Sequence, residues 1–423
     1  MSKWKEYLLA DVAVINARSI NKDFAYSQIE YIDTASVTQN RFEASQIIEL
    51  KDAPSRAKRL VAKGDTIIST VRPNQKHYGF ITDSKPNTVV STGFAVVTPK
   101  EIDPKFLYYF LSQEKIVQHL NTLAESGSTT FPAIRPEVLE DLVVYAPESS
   151  EEQTAIAEIL SSLDDKIELN NQINKNLEAL AQALFKQWFV DFDFPDENGQ
   201  PYKSSGGEMV ESELGMIPKG WRLVKVSDLA PKLETGKRPK GGVKGIEQGI
   251  PSVGAESIKG LGYFDFSKTK FVSDEYAQTM NRGWIKGFEL LIYKDGGKPG
   301  TFIPNFGMFG EGFPFSEFVI NEHIFSLDFS EKEFNCFSYF FFDSHYVRPI
   351  LANSGGKAAI PGINQGDINN LKMFDPQNQL VKLFGVVAKS VISNLLNNCK
   401  ENRHLSELRD RILPKLITGE LKV

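Results

Sequence analysis

Several groups of side chains in this 423-residue chain have the types and spacing to contact a polyanion. Arg56, Lys58 and Arg59 crowd into one short stretch. Arg72, Asn74, Gln75, Lys76 and His77 follow on a proline-broken loop just after the apolar run Thr66-Ile67-Ile68. Much later, Lys237, Arg238, Lys240 and Lys244 are interleaved with Gly241 and Gly242. Two donor-rich loops, Ser128-Thr129-Thr130 and Gly355-Gly356-Lys357, complete the set. Cations suit phosphates, planar amides suit base edges, and glycine lets backbone approach an anion closely. On spacing alone, each cluster reads either as a nucleic-acid contact or as a solvated surface loop.

Groups for covalent chemistry are missing from the same sequence. The Asn-Pro-Pro of a DNA methyltransferase catalytic loop does not occur. Thr235-Gly236-Lys237-Arg238 has an Arg where a phosphate-binding loop needs a hydroxyl for magnesium. His77, His119, His323, His345 and His404 show no metal-ligand spacing, and Cys336 and Cys399 are too few for a thiolate zinc site or a disulfide framework. Asp103-Pro104-Lys105 has the acid-x-Lys spacing of some nucleases but lacks the upstream Pro-Asp. No catalytic residue, metal ligand or cofactor is expected in this chain.

The elements that must position the basic clusters occur twice. Residues 156, 160, 163, 167, 170, 174, 177, 181, 184 and 188 step by alternating four and three and are mostly apolar, which is a heptad seam. Ser149 with Glu152 forms a capping-box candidate at its start. Adding 224 to each position gives Leu380, Phe384, Val387, Val391, Asn394, Asn398, Glu401, Leu405, Leu408 and Ile412, a second seam with Asn170 and Asn174 matched by Asn394 and Asn398. These four Asn are expected to fix coiled-coil register. Asp375-Pro376 is the expected N-cap and first-turn proline of the second helix.

The preceding segments match as well. Trp4 pairs with Trp221, Lys63-Gly64 with Lys286-Gly287, Thr66-Ile67-Ile68 with Leu290-Leu291-Ile292, and Phe106 to Phe110 with Phe337 to Phe341. Pro132-Ala133-Ile134 likewise matches Pro361-Gly362-Ile363.

The expected fold is therefore α+β, with two pseudo-symmetric mixed domains and two long helices. The boundaries are 1–147 (first domain), 148–191 (first helix), 192–220 (a Gly-, Pro- and acid-rich linker), 221–375 (second domain) and 376–423 (second helix and tail). A helix of about 40 residues is ~60 Å long, more than one such domain can cover. Residues 148–198 carry 3 basic and 12 acidic side chains, and residues 376–423 carry 8 and 4, so opposite charge favours pairing the two helices. The domain lying between them in sequence makes the pair antiparallel. Apolar residues at 41% and charged residues at 24% exclude low-complexity and disordered classes. No apolar run approaches the ~20 residues of a membrane helix, and no signal-peptide core is visible, so a cytoplasmic protein without a membrane partner is expected.

Several strings, in order, resemble the specificity subunit of type I restriction-modification systems over essentially the whole chain. They are Pro54-Ser55-Arg56-Ala57-Lys58-Arg59, Lys63-Gly64-Asp65-Thr66-Ile67-Ile68, Val71-Arg72-Pro73 and Leu184-Phe185-Lys186-Gln187-Trp188-Phe189-Val190-Asp191-Phe192. Ser212-Glu213-Leu214-Gly215-Met216-Ile217-Pro218 and Leu413-Pro414-Lys415-Leu416-Ile417-Thr418-Gly419 complete the resemblance.

The resemblance implies a non-catalytic, sequence-specific DNA-binding subunit. Two target-recognition domains would each read one half of a bipartite asymmetric double-stranded target. The helices would set the spacing and dock a pair of methyltransferase (modification) subunits and, in nuclease-bearing systems, a restriction/translocase subunit. S-adenosylmethionine, ATP and Mg would belong to those partners, whose assembled complex is a site-specific deoxyribonuclease and adenine methyltransferase. The second domain lacks the Pro-Ser-Arg-Ala stretch of the first, which implies unlike half-sites. The alternative is a coiled-coil scaffold carrying two domains for non-DNA ligands.

Overall fold

Two helices dominate the chain, Ser150–Phe189 and Gln379–Ile417. The computed structural model describes residues 3–127, 132–356 and 360–423, so Ser128, Thr129, Thr130 and Lys357 lie outside the described residues. The chain divides into one unit of Met1–Ile167 with His404–Val423 and a second of Glu168–Arg403, so each long helix contributes to both.

In the first unit, a four-stranded sheet runs Ala13–Ile15, Phe94–Pro99, Thr66–Ser69, Tyr78–Phe80. A second runs Gln46–Glu49, Gln28–Ile32, Thr88–Ser91, Ala57–Leu60, with its two central strands parallel. Thr66–Ser69 and Thr88–Ser91 are buried at every residue, which is why their sequences show apolar runs rather than alternation. Pro104–Leu111 is a core helix capped by Asp103, whose carboxylate accepts from the Phe106 N–H at 2.8 Å. That cap accounts for the acid-x-Lys spacing noted above.

The second unit repeats the frame. Lys232–Thr235, Ile324–Asp328, Leu290–Tyr293 and Phe306–Met308 correspond to the first sheet in order, with Gly260–Leu261 added at the edge. Lys63-Gly64 and Lys286-Gly287 both turn at a positive-φ glycine, +93° and +120°. A buried carboxylate closes each turn. Asp65 accepts from Ala62 N–H, Thr98 Oγ1 and Arg18, and Glu289 accepts from Lys286 and Gly287 N–H, both at 2.7 Å. The aromatic runs Tyr108 to Phe110 and Phe337 to Phe342 are core.

A short antiparallel pair closes the base of each unit, Trp4–Leu8 with Val143–Pro147 and Leu223–Lys225 with Lys372–Phe374. The segment 192–220, expected as linker, is not a bare tether. Phe192, Phe194 and Ile217 are buried in the second unit, and Phe194 stacks on Tyr202 and Trp221 at 4.8 and 5.4 Å. Met209–Ser212 and Gly215–Pro218 form a hairpin. Aromatic burial outweighs the loop-like composition that surrounds it.

The helices run antiparallel in each unit. In the first, Arg409 donates to Asp164 at 2.6 Å. In the second, Phe185 packs on Phe384 at 5.5 Å. Every expected seam position is buried or half-buried except Asn394, which is exposed because the buried face there passes through Leu395. The register ladder is consequently Asn170, Asn171 and Asn174 against Asn398, Glu401 and Asn402, not one containing Asn394. Fully buried Asn170 donates to Glu401 Oε2 at 2.7 Å and Asn402 Oδ1 at 2.9 Å, and Asn398 donates to Asn174 at 2.8 Å.

Ser149 caps the first helix as expected, accepting from Glu152 N–H at 3.3 Å. The second helix is capped by Asn378, which accepts from Leu380 N–H at 2.8 Å, whereas Asp375 closes the preceding turn. Gln379–Ile417 is also long and apolar enough to pass for a membrane span by length and composition. Its apolar residues Val381, Phe384, Ala388, Ile392 and Leu396 are instead core of the second unit.

Candidate nucleic-acid interface

In the first unit, the strand Thr66–Ser69 delivers the chain into a loop held by three backbone hydrogen bonds. Thr70 N–H donates to Gly93 O at 2.8 Å, Arg72 N–H to Pro132 O at 2.9 Å, and Ile134 N–H to Thr70 O at 2.9 Å. Arg72 and Lys76 adopt left-handed backbone, with φ of +47° and +58°, at either end of a single 3-10 turn, Pro73–Gln75. Thr92 N–H bonds to Arg56 O at 2.8 Å, so the Arg56 stretch borders the same surface.

The sequence-derived candidates divide by environment. Arg56, Lys58, Arg72, Asn74 and Gln75 are exposed. Three others are spent on the fold. The Arg59 guanidinium donates to Phe94 O, and burial pulls it below its ordinary basicity. Lys76 pairs with Glu114 at 2.8 Å, and its hydrogen bond holds that carboxyl below the usual range. His77 Nδ1 lies 2.6 Å from Val37 O and 3.1 Å from Thr38 Oγ1. Ser128, Thr129 and Thr130 fall outside the described residues.

In the second unit, Lys240 and Lys244 are exposed, Lys237 donates to Asn281 at 3.3 Å, and Arg238 pairs with Glu322 at 3.5 Å. This basic loop follows the strand Lys232–Thr235, whose counterpart is Ala13–Ile15. Its equivalent in the first unit is therefore the stretch after Asn16, not Arg72 to His77.

The true counterpart of the Arg72 loop is Asp295-Gly296-Gly297-Lys298-Pro299-Gly300. Lys294 N–H donates to His323 O at 2.9 Å, Gly296 N–H to Pro361 O at 2.9 Å, and Ile363 N–H to Lys294 O at 2.8 Å, the same three bonds in the same order. Gly356 abuts this loop, since a Cβ there would come within 3.4 Å of Gly300 O. Lys357 is outside the described residues. Sequence reading missed Lys298, although the offset of 224 that relates Thr66 to Leu290 also relates Arg72 to Gly296.

Glu322 and His323 join the two loops of the second unit. Arg238 reaches Glu322, His323 Nδ1 meets Asp295, and Lys294 Nζ donates to Glu322 O at 3.1 Å. Among the described residues, no group of three or more His, Cys, Asp or Glu side chains converges as a metal site.

Each unit therefore presents one loop held by the same three backbone hydrogen bonds on a duplicated mixed domain, with two helices running antiparallel in it. The family model described as type I restriction modification DNA specificity domain matches residues 1–179. The specificity subunit of the type I restriction enzyme HindI of Haemophilus influenzae is 29% identical over the full length of both chains. That of MjaIX from Methanocaldococcus jannaschii is 26% identical, covering all of this chain and 89% of its own. A crystal structure of the type I S subunit from M. genitalium, 15% identical, matches in fold with a TM-score of 0.53 over 98% of this chain and 96% of that one. The chain is thus similar over its length to type I restriction-modification specificity subunits, and residues 1–179 match the DNA specificity domain of that family.

Proposed function

We propose that the chain is the non-catalytic DNA-recognition subunit of a type I restriction-modification complex. Each unit reads one half of a bipartite, asymmetric target, and the long helices set the spacing and dock the methyltransferase subunits, which bring S-adenosylmethionine. The observation that carries this reading is the pair of equivalent loops. Three matched backbone hydrogen bonds hold Arg72-Pro73-Asn74-Gln75 in one unit and Gly296-Gly297-Lys298-Pro299 in the other. One scaffold presenting different side chains at one place is what reading two unlike half-sites requires. Direct readout needs planar polar groups and cations at base edges and phosphates, which both loops or their rims supply.

Support for the docking role comes from Leu169, Ile173 and Leu180, exposed at 51, 38 and 63% on the first helix within the second unit. Apolar residues at such spacing on a helix already paired on its opposite side suit another helix.

The test is to sequence the methylated bases of a host carrying the chain with its methyltransferase, and to measure binding to the motif found. Arg72→Ala should weaken cognate binding by about 1–3 kcal/mol if it reads a base, or reduce the salt slope by about one if it holds phosphate. A chain that yields no methylated motif and no salt-dependent DNA binding is the scaffold of the alternative reading, and the proposal fails.

A further inference from the structure

The glycines of the loop after Leu290–Tyr293 change what that position can do. In the first unit, the equivalent loop carries Arg72, Asn74 and Gln75, all exposed. In the second, Gly296, Gly297 and Gly300 all have positive φ, and Pro299-Gly300 turns the chain so that Thr301 N–H meets Lys298 O at 3.1 Å. Beside this loop lies a cleft of about 600 Å³ lined by Lys259, Tyr293, Lys298, Thr301, Ile303 and Asn305. Gly296 has no substitute there, since a Cβ would collide with the Tyr293 hydroxyl. The wall is rigid, because Tyr293 stacks on buried Phe302 with ring centroids 5.6 Å apart and planes within 4°.

The lining has the composition of a base-reading surface. Lys298 and Lys259 are exposed on the rim, and neither pairs with a carboxylate among the described residues. The acid that also lines the cleft, Glu256, is already neutralised by Lys270. Half-buried Asn305 makes no side-chain hydrogen bond among the described residues, although its carbonyl accepts from Tyr293 N–H at 2.9 Å. An unspent amide has the donor and acceptor that match an adenine edge, and Ile303, 63% exposed, offers the apolar contact that a thymine methyl takes. Asp295, next to the cleft-lining Gly296, meets His323, and the neighbouring Glu322 meets Arg238 of the basic loop.

We infer that this cleft, and not the basic loop at 237–244, determines the second half-site on double-stranded DNA, with Asn305 reading a base edge and Lys298 and Lys259 holding the flanking phosphates. The inference rests on the DNA-recognition reading above. It divides labour within the unit: Lys240 and Lys244 contribute charge, and the cleft contributes sequence.

The full chain is co-expressed with its methyltransferase subunit, and methylated motifs are read genome-wide for the wild type, Asn305→Ala, Lys298→Ala, Lys240→Ala with Lys244→Ala, and Arg72→Ala. Asn305→Ala should relax one position of one half-site and leave the other half unchanged. Lys298→Ala, a surface change with no bearing on folding, should weaken binding of the purified complex to its motif about 3- to 10-fold with a salt slope lower by about one. Lys240→Ala with Lys244→Ala should weaken binding without altering the motif. An unchanged motif for Asn305→Ala with unchanged affinity for Lys298→Ala, while Arg72→Ala alters the first half-site, overturns the cleft and leaves DNA recognition standing. Relaxation caused by Lys240→Ala with Lys244→Ala and not by Asn305→Ala assigns the reading to the basic loop and overturns it equally. A wild-type chain without any motif sinks the underlying reading instead.

Discussion

The two units solve one packing problem in opposite ways. In the first, Tyr109 and Arg409 both donate to Asp164, at 2.7 and 2.6 Å, where the helices meet the domain. At the corresponding places in the second unit stand Phe340, Phe185 and Ala388, all buried, with Phe185 and Phe340 stacked at 6.3 Å. A polar triad and an aromatic stack hold the same frame, so the frame does not depend on either chemistry. Burial weakens the Arg409 proton and Asp164 more than restores it, leaving the guanidinium more basic than usual, while burial raises the Tyr109 hydroxyl. Asp164 is the acceptor on which Tyr109 and Arg409 converge, and Arg409 also donates to Asp410, at 2.9 and 2.7 Å. The stack has no such shared acceptor and derives its stability from area.

The comparison can be broken most forcefully in the second unit. Phe384→Ala removes a fully buried ring that packs on Phe185, Trp188, Phe189, Phe337 and Phe340, and should cost about 3–5 kcal/mol. Hydrogen exchange should show the loss in residues 168–403 while the sheets of the first unit keep their protection. Equal loss of protection in both units would mean that they are not separate cooperative blocks.

Next in size, Asp164→Ala leaves the Tyr109 hydroxyl without its acceptor and Arg409 with Asp410 alone, and should cost about 2–3 kcal/mol. The triple change Tyr109→Phe, Asp164→Ala, Arg409→Phe copies the chemistry of the second unit and should recover all but about 1 kcal/mol in denaturant unfolding. If the triple variant is as unstable as the single one, the two solutions are not interchangeable. Asn170→Leu should cost about 1–2 kcal/mol, since Glu401 and Asn402 each lose a donor, and should loosen register, read as faster amide exchange across residues 395–402. The smallest effect belongs to Lys76→Ala. Its partly exposed pair with Glu114 should be worth under about 1 kcal/mol, and DNA affinity should stay within twofold of wild type, in contrast to Arg72→Ala.

Local chemistry already announced much of this. The heptad seam, the doubled Trp4 and Trp221, and the match of Thr66-Ile67-Ile68 to Leu290-Leu291-Ile292 specified two mixed domains and two helices, because apolar period and turn residues act over a few positions. The site was legible only in outline. Arg59, Lys76 and His77 looked as eligible as Arg56 and Arg72, and nothing in their spacing showed that Phe94 O, Glu114 and Val37 O had already claimed them. Asn394 failed similarly. A heptad extrapolated across a long helix drifts against a real pitch near 3.6 residues per turn, and here Leu395 takes the buried face.

The sequence by itself determined the element types, their duplication, the antiparallel sense of the helices and the absence of catalytic motifs, since each follows from short-range pattern and charge. Only the tertiary structure decided which basic side chains remain exposed, that residues 192–220 join a core through Phe192 and Phe194, and that Gly296 to Gly300, not the lysine-rich loop, occupies the place of Arg72. The reason is physical. The equivalence is set by backbone hydrogen bonds between residues 60 and 65 positions apart, Arg72 to Pro132 and Gly296 to Pro361, and no local pattern encodes the partner at the far end.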